Sequence, residues 1–505
     1  MDNGTRPAGQ LDIATALSPY SGPWDVRMAS HLMRRAGFGG TPQQVQQLSH
    51  MPMHEAVESL IHFPSTAGLP DPDNVFDPYQ QGLIGAGMAG VSRVAQGIGL
   101  FGPGVGGARP IGMIDPQARQ ERAKELRQDA RQSIISLQAW WLTRMVASPA
   151  PLQEKMTLLW HGHFTSAAIQ KQAWPSDMYR QNQLFRQYAL GNVRDLTQAV
   201  SKDVAMLKYL DGERNVKAHP NENYARELME LFTLGIGNYS EQDIRESARA
   251  FSGWTVDRRT GEFVDNQSQH DDGSKTFLGR TGNFTGTDIV NIIFQQPAAS
   301  KFFAKFLLNN FVYNDPEPEL VDAVAANIVR NDFNLAPVVS KLLQSNVFYS
   351  ERSYRALVKS PVEFVVGTHQ LFGLKDLAPN AQRALVQMGQ ILFYPPNVAG
   401  WPGGSTWITS QTLIARENFL AALMNMPMMQ QTWLGEVPMN ARAATAQMVS
   451  AILQSDISPA SQARLQDYLN GAGTSALGML SAENYEERVR GAAYLAMAMP
   501  AYQLS

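Results

Sequence analysis

Cysteine is absent from this 505-residue chain. Disulfides, thiolate metal sites and a cysteine nucleophile are therefore excluded, and any bound metal must take His, carboxylate, amide or water ligands. A chain without thiols suits cytosol and periplasm equally. A surplus of charge is missing too, since 42 basic residues face 45 acidic ones for a net charge of -3. With no basic field and no Lys/Arg run to track phosphates, nucleic acid is not an expected partner. Apolar runs are short: none reaches the roughly 18 residues of a membrane span, and Gly82–Met113 is broken by Gly, Pro, Arg and Gln, so the chain is not expected to be transmembrane. Met1–Pro23 has no basic segment leading into an apolar stretch, so no secretory signal is read there. The expected compartment is the cytoplasm, or the periplasm if a signal has been removed or export occurs with a partner.

What is present is helical periodicity. Val26, Met28, Leu32 and Met33 recur at helical spacing and stop at Gly37–Gly40. Thr41, Pro42 and Gln44 then form a capping-box opening for a second helix, and His54–His62 gives a third. Asp115 reads as an N-cap before Pro116, opening a long helix over Gln117–Ala147 that Pro149 and Pro151 end. Further helices are predicted from Leu152–Trp160, through Asn223–Thr233 and Pro361–Gln370, to Ala381–Met388. Gly253–Asp257 and Glu262–Asp265 alternate like strands around Arg258-Arg259-Thr260-Gly261 and predict one hairpin. The expected class is mainly α: a multi-helical globular array with one small β-hairpin and long irregular loops. Its expected organisation is N-terminal helices (1–64), a Gly/Pro-rich insertion or loop (65–114), a helical core carrying the polar site (115–430) and a C-terminal helical appendage (431–505).

Histidine is scarce, at nine residues, yet His161 and His163 flank Gly162 directly after an apolar helix. On a continuing helix two such side chains point about 200° apart, whereas a bent backbone, which Gly162 favours, turns both toward one ion. Two imidazoles at a helix C-terminus, favoured by the dipole, are the plainer alternative. Glu222, Arg226 and Glu230 make an i, i+4, i+8 polar stripe that Glu227 adjoins, which is equally a solvated Glu–Arg ladder. His270 and Asp271 stand side by side before Asp272-Gly273 and Lys275, as a metal- or base-bearing loop or as a plain turn. Asn397, Trp401 and Trp407 punctuate a Pro/Gly loop whose aromatic faces suit carbohydrate, or serve packing.

Taken in order, several blocks resemble the bacterial domain-of-unknown-function 1800 family. They are His31-Leu-Met-Arg34-Arg35-Ala-Gly-Phe-Gly, Lys155-Met-Thr-Leu-Leu-Trp-His161-Gly-His163-Phe and Asn221-Glu-Asn-Tyr-Ala-Arg-Glu-Leu-Met-Glu-Leu-Phe-Thr-Leu-Gly235. They continue with Ala248-Arg-Ala-Phe-Ser-Gly-Trp254, the His270-Asp271 loop, Lys359-Ser-Pro-Val-Glu-Phe364 and Pro395-Pro-Asn-Val-Ala-Gly-Trp-Pro-Gly-Gly404, so the likeness spans about Trp24 to Met424. The resemblance implies a shared fold and shared motifs but names no reaction. Members look paired with a sulfatase-like neighbour, which implies a protein partner.

Two expectations from different classes follow. In the first, the chain is a metal-dependent enzyme, hydrolytic in kind, acting on a glycan or another polar or anionic polymer. His161, His163, Glu227 and His270 would hold a divalent ion such as zinc, with Glu222 or Asp271 as general acid or base, and Arg226 and Lys275 steadying an anion. Trp401, Trp407 and Asn397 would contact the substrate. A glycosidase pair of Glu222 and Glu227 is disfavoured, because an i, i+5 pair on one helix diverges. In the second, the polar groups form a buried structural network and the Trp401–Trp407 loop contacts another protein or a glycan, without catalysis.

Overall fold

The structure, a computed structural model, describes residues 13–79, 116–168, 173–426, 440–471 and 484–505. The expected insertion Gly82–Met113 and the cap at Asp115 lie outside them. Three helices open the described chain: α1 (Val26–Arg35), α2 (Pro42–Ser49) and α3 (Met53–Ile61). The capping box at Thr41 forms as its spacing predicts, with Thr41 Oγ1 accepting from the Gln44 amide and Gln44 Oε1 from the Thr41 amide. A long α4 (Pro116–Ala147) passes from an exposed first half into the interior at Ile134, Leu137, Trp141 and Met145. Then come α5 (Pro151–His163), α6 (Pro175–Gln187), α7 (Val193–Ser201), α8 (Val204–Tyr209) and α9 (Glu222–Glu227). The last continues into a π-helical turn, Leu228–Thr233, before α10 (Glu241–Ala250).

Two small antiparallel pairs interrupt the helices. The expected hairpin joins β1 (Trp254–Val256) to β2 (Phe263–Asp265), with Trp254 opposite Asp265. A second pair, β3 (Lys275–Phe277) with β4 (Arg280–Gly282), turns on Leu278 and Gly279, whose φ values are 46° and 79°. Mirror-image turns need positive φ, which Asn-Gly or Asp-Gly usually announce. Leucine announces nothing of the kind, so this pair was not legible in the pattern.

The chain closes with α11 (Gly286–Ile293), α12 (Pro297–Phe311), α13 (Pro318–Arg330), α14 (Leu335–Leu343), α15 (Pro361–Leu371), α16 (Ala381–Met388), α17 (Ser410–Met424), α18 (Ala441–Leu453), α19 (Pro459–Leu469) and α20 (Tyr485–Ala498). No described helix is long and apolar enough to cross a membrane. Buried apolar side chains fall into two clusters. One gathers α1–α3 with α5–α14; the other joins α4 to α15–α20, so the C-terminal helices share a core with α4 and α15. Helix α5 serves both: Leu152, Met156 and Trp160, four residues apart, pack into the first, and Leu158 into the second.

A buried ion triad ties α5 to α4 and α6. Glu154, fully buried, accepts from Arg144 Nε at 2.8 Å, from Arg186 Nε and Nη2 at 2.8 and 3.0 Å, and from Trp141 Nε1 at 3.1 Å. Burial alone would raise its pKa, but the two guanidiniums outweigh it and hold the carboxyl below its ordinary value. Glu154→Gln leaves two buried cations without a counter-ion and is expected to cost about 3–5 kcal/mol in urea unfolding at pH 7. Because the folded-state pKa is depressed, the triad's contribution is full above the ordinary carboxylate pKa and is lost as pH falls below it.

Candidate functional site

Helix α5 does not stop at Trp160. It runs through Gly162 to His163, and the Phe164 amide bonds the Trp160 carbonyl at 2.8 Å. The two imidazoles therefore diverge. His161 enters the second core, its ring 5.6 Å from Trp141, 5.4 Å from Phe393 and 5.5 Å from Trp401. Its Nε2 accepts the Phe393 amide at 3.2 Å. His163 sits among Phe164, Phe232, Phe302, Phe303 and Phe306 and bonds the Phe232 carbonyl through Nε2 at 2.9 Å. That carbonyl belongs to the π-helical turn, a distortion frequent near functional sites.

Burial pushes His161 down to about 3, and His163 down to about 4 against the opposing backbone hydrogen bond. Both rings are neutral at pH 7. Their partners set the tautomers: His161 accepts on Nε2 and carries its proton on Nδ1, whereas His163 donates from Nε2.

The other expected site residues lie apart. His270 is buried and donates from Nδ1 to the Ser252 carbonyl at 2.9 Å. Asp271 grips Arg249 in two contacts, 2.7 and 3.1 Å, which hold its pKa down. Lys275 donates to the Asp271 and Gly273 carbonyls at 2.5 and 3.1 Å, so it staples its own loop. Arg226 bridges Glu222 at 3.3 Å and Glu241 at 2.8 Å near the surface, where such pairs contribute about 0–1 kcal/mol. Glu227 is half-buried, and burial followed by the Glu230 charge raises its pKa. The expected ligand set of His161, His163, Glu227 and His270 is thus not brought together: among the described residues no three His, Asp or Glu side chains are placed to hold a metal ion.

The structure instead assembles a cleft of about 400 Å³. One wall is α5, from which Lys155, Leu159, Gly162 and His163 line it at helical spacing. Asn309 and Asn310 from the end of α12, with Asn314 beyond it, form a second; Ser360 and Glu363 at the start of α15, and Trp401 and Trp407, complete it. Lys155 donates to Glu363 Oε1, while Glu363 Oε2 accepts the Ser360 amide at 2.6 Å and so caps α15. Burial would raise the Glu363 pKa, but the Lys155 charge overrides it and lowers it.

Backbone contact sets the cleft's far edge. Gly400 has φ +81°, and a Cβ there would lie 2.1 Å from the Gly162 carbonyl oxygen, so only glycine fits. This approach lays the Trp401 ring over Gly162. Asn397 is exposed and outside the lining; its Oδ1 accepts the Ala399 amide at 2.9 Å and shapes the turn before Trp401. Lys155 and Glu363 stand in two of the family-like blocks, Lys155–Phe164 and Lys359–Phe364, where no local pattern marks them as a pair. The signal that could have found them is the α5 face from Lys155 to His163, visible only once the helix is carried past Trp160. A larger cleft of about 810 Å³, between Leu69–Phe76 and Asp129–Ala147, contains no residue of the blocks that carry the family resemblance.

A family model described as a protein of unknown function, DUF1800, matches residues 31–504, which takes in the C-terminal helices beyond Met424. No curated protein and no solved structure matches the chain.

The depressed imidazole pKa values carry a pH signature. The stability they contribute is full above the ordinary histidine value of 6.5 and is lost as pH falls through it toward about 4. In that window each buried imidazole is expected to add a slope of up to about 1.4 kcal/mol per pH unit. His163→Gln, which keeps a donor for the Phe232 carbonyl, is expected to flatten the urea-midpoint profile between pH 7 and pH 5; an unchanged slope would show that His163 titrates normally.

Proposed function

The chain belongs to the DUF1800 family, and from that premise we propose that it is a binding protein whose Trp401 cleft seats a sugar ring. The observation that carries this reading is the cleft's make-up. Three separated sequence blocks, around Lys155–His163, Lys359–Phe364 and Pro395–Gly404, meet to surround one concavity with indole, amide and hydroxyl groups. Its volume falls in the range of about 300–1,000 Å³ usual for small-molecule sites. A sugar offers apolar C–H faces and a rim of hydroxyls. Trp401 supplies flat apolar area with little conformational entropy to lose, backed by the buried Trp407, and Asn309 and Asn314 supply amide donors and acceptors, whereas Asn310 Nδ2 and Gln390 Oε1 are already bonded to Phe306 and Val362. The indole Nε1 of Trp401 is itself buried without a hydrogen-bond partner.

Metal-assisted hydrolysis has less to stand on. Its expected ligands occupy α5, α9 and the loop after β2, and each of the three histidines is engaged by a backbone group.

Binding is tested by screening neutral and acidic oligosaccharides on an array, then titrating the best by calorimetry. Trp401→Ala is expected to weaken that binding at least about tenfold, near 1.4 kcal/mol. Trp140→Ala, in the larger cleft, is expected to leave it unchanged. Absence of saturable binding by any saccharide would overturn the reading.

A further inference from the structure

Resting on the reading of the cleft as a sugar site, we propose that the sugar it takes carries an oxyanion, either a carboxylate or a sulfate or phosphate ester. Uncompensated positive charge is held behind the walls. Lys155, at 2% exposure, faces the cleft, and Arg35 and Arg416 stand one layer behind it at 1% and 0%. Arg35 donates to the carbonyls of Phe311, Val312 and Ser353 at 3.1, 2.8 and 2.6 Å, next to the asparagine wall. Arg416 donates to the Lys359 carbonyl at 2.7 Å, between Val358 and Ser360 of the lining, and to Gln503 Oε1 at 3.1 Å.

Carbonyl and amide oxygens satisfy those N–H groups without cancelling their charge. The Nε atoms of both arginines are buried with no partner at all. Burial lowers Arg35 to about 9 and Arg416 to about 10, so both remain cations at neutral pH. Glu363 is the carboxylate acting on each, and it is already engaged by Lys155. Lys359 adds a fourth basic group, its Nζ 3.8 Å from the Tyr502 ring centroid; burial, then Arg34 and Arg416, push its pKa well down, so it is left out of the count. Lys155, Arg35 and Arg416 then set three cations against the Glu363 carboxylate in a low-dielectric wall, and the buried Arg34, bonded to Ser30 and Gln454 and facing the Asp456 charge, adds its own beside Arg35; a surplus charge there acts over longer range than in water. An anionic group entering beside Lys155 compensates it; a neutral sugar does not.

The test compares a uronic-acid trisaccharide with its carboxyl-reduced neutral counterpart and a sulfated trisaccharide, by calorimetry at low and high salt. The acidic ligands are expected to bind at least about tenfold more tightly than the neutral one at low salt, with the gap narrowing at high salt. Lys155→Met should remove most of the gap and Lys155→Arg restore it. The wild-type comparison decides by itself if a variant fails to fold. Equal affinity for acidic and neutral trisaccharides overturns this inference and leaves the sugar reading standing. Inorganic sulfate or an acidic peptide binding as tightly as the acidic sugars overturns the sugar reading and keeps the anion. No binding by any trisaccharide overturns both.

Discussion

The uninterrupted run of α5 through Gly162 is the constraint on which the rest of the structure depends. Its Leu152–Met156–Trp160 face fills one core, Leu158 fills the other, and Glu154 locks it to α4 and α6. The remaining face, Lys155 to His163, is left for the cleft. A helix that ended at Trp160 would unplug His161 from its aromatic box and His163 from the π-helical turn. The same stroke would take the floor from under Trp401.

Glycine in a helix interior costs about 1 kcal/mol relative to alanine. A Cβ at Gly162 would meet the Trp401 ring at 3.5 and 3.7 Å, ordinary contact distances, so the position without room for a side chain is Gly400, whose Cβ would lie 2.1 Å from the Gly162 carbonyl oxygen. Buried charge is handled in three ways around this helix. Glu154 is matched by two guanidiniums, Glu363 by one ammonium, and Arg35 only by neutral carbonyls. The first arrangement is a structural lock of the kind that is costly to break on one side only. The last leaves an uncompensated guanidinium behind the asparagine wall, the feature on which the proposed preference for an anionic sugar rests.

Much of the fold was legible because the local rules agreed with the tertiary outcome. Thr41-Pro42-Gln44 capped as written, Pro151 opened α5, and the Arg258–Gly261 connection turned the hairpin between β1 and β2. The reading failed where packing overrode propensity. Gly162 looked like a bend and is helix, and Leu278 holds a turn that pattern assigns to Asn or Gly. Trp401 and Trp407, expected from the character of their loop to contact a substrate, line the cleft, whereas Asn397 lies outside it and shapes the loop. His161 and His163 did not converge, because positions two apart on a continuing helix point away from each other, and Glu227 and His270 stand on other elements. Lys155 and Glu363 are 208 positions apart, and no local pattern announces such a pair.

The contact between Gly400 and Gly162 separates two properties that side chains usually set together. The edge of the cleft is set by main chain against main chain, whereas its lining is made of the indoles and amides mounted on that frame. Substitutions at Trp401 or Trp407 would therefore change the chemistry of the lining while the main-chain frame stays in place. A change in ligand girth would require the loop and the helix to move as one rigid jaw.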